Sequence, residues 1–228
     1  MSSLLGGLIG GVTVLGLLML AVLVVPVITF IILTVANRSE PDTTGKRPMA
    51  AFLFGGAFLT LILAGLGSIN VVRGLTSLIG RQTQPGMGYM SHAETDTIAR
   101  SVVMGLLLLM IAGAAHVMHR RRGLALADSE PDAGSATRRL ARSYVAAVSF
   151  VSVVIIIITL FVLAYSVFQL IAPGVFQAMG TRTDTFRSIL NELYILIGVS
   201  LVFRSHQALA PASLRLFAGR NSNASPTI

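Results

Sequence analysis

The chain contains no cysteine and no tryptophan, and only 11% of its 228 residues are charged, against about 25% in ordinary soluble domains. Each shortage removes a class of explanation. Without cysteine there is no disulfide framework, no thiolate nucleophile and no cysteine-ligated metal. Without tryptophan the strongest interfacial anchor is missing, so tyrosine, arginine and histidine must do that work. Signature motifs are lacking too: no phosphate-binding P-loop, no HExxH, no GxSxG and no dinucleotide fingerprint occurs. No cofactor is expected, and the chain reads as a non-enzyme.

Apolar length is what the chain has instead. Hydrophobic residues make up 54% of it and the mean hydropathy is +0.81, which places it among polytopic membrane proteins. The net charge of +8 would suggest nucleic acid in a soluble chain. Here the arginines stand beside apolar runs, so anionic lipid headgroups are the expected counterions and nucleic acid is not.

The chain is organised around the stretch His116 to Arg142, where Arg120, Arg121, Arg122, Arg138, Arg139 and Arg142 flank a linker of small, acidic and turn-forming residues. The expected fold is an all-α, polytopic transmembrane bundle of five helices. The first is the apolar run Leu4 to Ala36, too long for the roughly 7–15-residue apolar region of a signal peptide. Gly6/Gly10 and Gly7/Gly11 stand in it at small-xxx-small spacing, which reads either as close helix packing or as a loosely ordered, glycine-rich start. The second runs from about Pro48 to Ile79, and its length requires strong tilt, a kink near Gly65 and Gly67, or projection beyond the bilayer. The third opens at Thr95-Asp96-Thr97 and continues to His116 and His119. The fourth spans about Leu140 to Ala172, and the fifth opens at Thr183-Asp184-Thr185 and closes near His206. This gives an N-terminal helix over 1–36, a two-helix unit over 37–122, a linker over 123–137, a second unit over 138–210 and a disordered tail over 211–228.

The two units look like a parallel duplication. Thr95-Asp96-Thr97 matches Thr183-Asp184-Thr185, Arg100-Ser101 matches Arg187-Ser188, and His119 matches His206; at an offset of 92, Phe52 meets Tyr144. Repeats in the same orientation are related by an axis along the membrane normal and form two similar hairpins. Counted over five helices, Lys and Arg number twelve on the side of the central linker and five on the other. The linker and C-terminus are therefore expected on the cytoplasmic side of the inner (plasma) membrane and the N-terminus outside. A basic pair, a long helix with early aromatics and a shorter helix ending in histidine, used twice from Lys46 to about Ala210, resembles a bacterial four-helix membrane domain of unknown function met in chloroflexi and actinobacteria. The resemblance implies architecture and a bacterial origin, and brings no catalytic residues.

Candidate chemistry is sparse. Glu192 is the one acidic residue inside an apolar span, and an ionisable group there is a functional hypothesis by default. Arg73 is its expected partner, with Arg100 second, and Asn70 and Asn191 extend the polar cluster. Such a cluster either locks helices together or relays a proton or cation. His116 and His119 of the third helix, with His206 of the fifth, are candidate axial haem ligands, or else interfacial anchors, and the duplication puts His119 and His206 at one depth. The six central arginines serve as a topology signal and as contacts for anionic lipid. A small accessory, assembly or structural subunit, working with a membrane-protein partner or as a homo-oligomer, is the expected role. A small transporter or channel at Arg73/Glu192 is the alternative, and a haem-carrying redox subunit the third.

Overall fold

A computed structural model describes residues 28, 31, 42, 44–80, 88–130, 132, 134–175 and 181–209. All of the described regular structure is helical, in four helices: α1 (Arg47–Thr76), α2 (Gly88–Asp128), α3 (Ala136–Ile171) and α4 (Arg182–Gln207). The expected first helix, Leu4 to Ala36, lies outside the described residues apart from helical Ile28 and Ile31, as does the tail from 211. Among the described residues there are thus four helices, against the five expected of the whole chain. Each of the four is long and apolar enough to cross a membrane; even the shortest, at 26 residues, extends ~39 Å against a hydrocarbon core of about 30 Å.

Local chemistry sets the helix ends. Gly45 takes a left-handed φ of 67° ahead of α1, Pro48 fits the first turn, and the Asp42 carboxylate accepts the Arg47 N–H at 3.0 Å. Ser135 caps α3 by accepting from the Arg138 N–H. At α4 the capping residue is Thr181, not the Thr183 cluster: Thr181 and Asp184 form a reciprocal capping box.

The largest departure from expectation is the linker. Residues 123–128 are not loop, because α2 continues through Arg120–Arg122 to Asp128. Arginine, leucine and alanine are all strong helix formers, and charge alone does not end a helix. The turn is confined to 129–135 and is tied at both ends. The Arg138 guanidinium donates to the Ala127 carbonyl in the last turn of α2 (3.1 Å) and to the Glu130 carbonyl just beyond it (2.8 Å), the favoured place for a cation. Lys46 Nζ stands 3.1 Å from the buried Glu130 carboxylate and joins the start of α1 to the same turn.

Helices α1 and α2 form one hairpin, α3 and α4 the other. The hairpins meet chiefly along α1 and α3, with lesser contacts from α1 to α4 and from α2 to α3. The cross-section is thus a rhombus with α1 and α3 on its short diagonal. Within the first hairpin the backbones nearly touch at Gly67 and Gly105, where a β-carbon on either would come within 2.8 Å of the opposite main chain. The predicted kink site is this crossing point in a continuous helix. Buried apolar residues concentrate toward the α2–α3 turn. Ala50, Phe54 and Ala57 of α1 face Leu140, Tyr144 and Ala147 of α3, each set spaced i, i+4, i+7 as one helical stripe requires.

Candidate functional site

Two groups of polar side chains join the helices, one near each end of the bundle. At the end away from the α2–α3 turn, α1 is bound to α4. The Thr76 hydroxyl donates to Asn191 Oδ1 at 3.0 Å, and the Arg187 guanidinium donates to the carbonyl of Ile79. Gly80 turns the chain there with φ 67°, and a side chain on it would strike Thr183.

Glu192 belongs to this end but not to the expected pair. Ser166 of α3 donates to its Oε1 at 2.9 Å, while Oε2 is buried and accepts no hydrogen bond from the described residues. Asn70, Arg73 and Arg100 are exposed, and no ion pair joins Glu192 to Arg73 or Arg100 among the described residues. The expected five-residue cluster therefore separates. Asn191 and Glu192 are engaged inward, with Thr76 and Ser166 as partners, and the other three point away. The physical reason is rotational: α4 presents its carboxylate to α3, its hairpin partner, before it can reach α1.

The second group surrounds Tyr144 and His206, both almost fully buried. The His206 Nδ1–H donates to the Val202 carbonyl at 2.9 Å, which leaves Nε2 to accept the Tyr144 hydroxyl at 2.9 Å. A neutral imidazole in this tautomer satisfies both contacts. His116 of α2, also buried, donates from Nδ1 to the Ala57 carbonyl of α1 at 2.9 Å, and its ring centroid is 6.2 Å from that of His206. Gln207 donates to the Ser149 hydroxyl at 2.7 Å. This group touches all four helices.

The histidine that faces His206 is thus His116, not His119. His119 bonds within its own helix to the Ala115 carbonyl, sets its ring edge against Phe52 and fills the space over Gly56. The candidate haem pair His119/His206 does not converge, and both His206 nitrogens are already committed. Among the described residues no group of three or more metal-ligating side chains comes together.

The central arginines divide into two kinds. Arg138 and Arg139 brace the α2–α3 turn, Arg139 through the Gly134 carbonyl at 2.7 Å, and Arg142 is half-buried beside them. Arg120 is half-buried on α2, while Arg121 and Arg122 are exposed.

Tyr144, Ser149, Ser166, Gln207 and Thr76 carry these networks and are absent from the expected site. A signal for part of them lies in α3, where buried Ser152, Thr159 and Ser166 recur every seventh residue among aliphatics. That is a polar stripe at helical spacing. What fold and site define together is a class, a helical bundle of membrane-crossing length in which four side-chain hydrogen bonds tie one helix to another, while Glu192 Oε2, Gln207 Oε1 and Thr137 Oγ1 are buried without a partner among the described residues. No protein-family model, curated protein or solved structure matches the chain.

Proposed function

We propose that this chain is a multi-pass, non-catalytic subunit of a bacterial inner membrane that acts through helix–helix contacts with a membrane-protein partner. The observation that carries the reading is the use made of the intramembrane polar groups. Tyr144 with His206, Gln207 with Ser149, Thr76 with Asn191 and Ser166 with Glu192 each bind one helix to another. A transport path or redox centre would instead need polar groups facing a shared space. Outward faces are left for partners: Met104, Met110 and Ile111 of α2, and Ile197 and Leu201 of α4, are all more than half exposed.

Leu4 to Ala36 supplies a fifth span, with the N-terminus outside and the C-terminus in the cytoplasm. The arginine-rich α2–α3 end then lies at the inner leaflet, against anionic headgroups. A duplication at an offset of 90 is an alternative to the register read above, 92 for the second and fourth helices and 87–88 for the third and fifth, and it gives up the match of His119 to His206. Ala50, Phe54, Ala57 and His116 correspond to Leu140, Tyr144, Ala147 and His206, and the members of two of these pairs, Phe54/Tyr144 and His116/His206, touch each other. Residues paired with their own counterparts lie on a pseudo-twofold axis.

The rival reading is a small transporter working through Glu192, and E192Q separates the two. In a structural role glutamine keeps the acceptor for Ser166, so assembly and partner binding persist. A relay loses transport while the fold stays intact, and ion or proton flux abolished by E192Q in reconstituted vesicles would establish the rival.

A further inference from the structure

Opposite the buried row Ala112, His116 and Gly123, α2 carries a shallow, wide-open groove lined by Gly113, Ala114, Val117, Met118, Arg121 and Arg122. These six residues form two i, i+4 rows, and the small pair Gly113-Ala114 opens the groove between them. Around Gly113 nothing lies within 4 Å of the position a β-carbon would take. Val117 and Met118, 45% and 44% exposed, form the walls. The groove ends at two exposed guanidiniums, and neither Arg121 nor Arg122 bonds to any described residue. Folding uses Arg138 and Arg139; it does not use these two.

Gly113 lies eight residues before Arg121, roughly 12 Å along the helix, within the depth of one leaflet's half of a ~30 Å core. An apolar trough of this length with two cations at its polar end is complementary to one amphiphile of opposite charge. The nearest carboxylate further along α2, Asp128, is roughly 9 Å beyond Arg122, too far to neutralise the pair by direct contact. We infer that the groove holds one anionic phospholipid, its phosphate between Arg121 and Arg122 and an acyl chain laid over Val117 and Met118 onto Gly113 and Ala114. Guanidinium forks suit phosphate oxygens in this position. The inference rests on the membrane-embedded reading above and sharpens its general attraction for anionic lipid into one site.

The test is native mass spectrometry of the full chain released from nanodiscs containing equal phosphatidylglycerol and phosphatidylcholine. One retained phosphatidylglycerol per chain is expected, favoured over phosphatidylcholine by about tenfold. R121Q/R122Q removes the preference. G113L, which fills the trough on an outward face and leaves both arginines, lowers retention. R204Q, an exposed arginine on α4, leaves it unchanged. Equal retention of the two lipids, or a G113L protein that binds like the parent, overturns the site and leaves only diffuse surface attraction. A disulfide formed within one chain by G113C and I31C also overturns it, because the N-terminal segment then covers the groove; the native lack of cysteine makes that readout unambiguous. Labelling of D132C by an impermeant reagent on intact cells reports the sidedness of this end separately, so an error in orientation is not confused with an empty groove.

Discussion

Phe54 of α1 and Tyr144 of α3 lie with ring centroids 5.4 Å apart at the centre of the buried core, and the Tyr144 hydroxyl reaches on to His206 of α4 at 2.9 Å. One side chain therefore joins the two hairpins through its ring and the second hairpin through its oxygen. Tyrosine suits that position because it offers apolar area and a polar tip.

Y144F keeps the ring and removes the bond, leaving His206 Nε2 buried without a donor. A loss of about 1–2 kcal/mol is expected in detergent unfolding. The double-mutant cycle with H206L should return a coupling energy of about 1 kcal/mol, since the residues are in direct contact. Additive effects would show that the contact contributes nothing to stability.

The glycine crossing gives a sharper contrast. G67L or G105L must force α1 and α2 apart and is expected to cost about 1–3 kcal/mol, whereas G65L, which meets nothing within 4 Å, should unfold close to the parent temperature. Equal melting temperatures for G65L and G67L would contradict the close approach.

At the α2–α3 turn, K46A leaves the Glu130 carboxylate, 1% exposed, without its cation. Lys46 is itself 40% exposed, so solvent screening limits the loss to about 1 kcal/mol. R138A strips the guanidinium from the Ala127 and Glu130 carbonyls and is expected to cost a similar amount. Both effects are read by thermal unfolding, and only that of K46A should shrink when E130Q is added.

The membrane-crossing helices were legible in the sequence because apolar runs of this length, broken by Pro173-Gly174 or Ser129 to Ser135, have few other readings. The two hairpins were read from the similarity of the two halves. Rotation was not legible. His116 and His119 are three residues apart and differ by only about 60° around the helix, so composition cannot say which one meets His206. The same ambiguity misplaced Glu192, whose neighbour Ser166 is an unremarked serine in an aliphatic run. The linker was overestimated because a block of arginines was read as a boundary of structure, when it marks only a boundary of hydrocarbon.

Ser166 and Glu192 test whether the intramembrane carboxylate is structural. S166A removes the one hydrogen bond to Glu192 Oε1 and should lower stability by about 0.5–1.5 kcal/mol. In an E192Q background the same change should cost less, since an amide is easier than a carboxylate to leave unpaired in an apolar setting. A larger penalty in the E192Q background would contradict this account.

The central claim is that the chain works through contacts with another membrane protein. The most direct measurement is purification of the tagged, full-length protein from its own host membranes in mild detergent, with stoichiometry by mass spectrometry. A partner subunit retained at a fixed ratio is the expected result. Recovery of this chain alone, as a monomer or homo-oligomer, at native expression levels would contradict the claim and shift the reading toward an independent transporter.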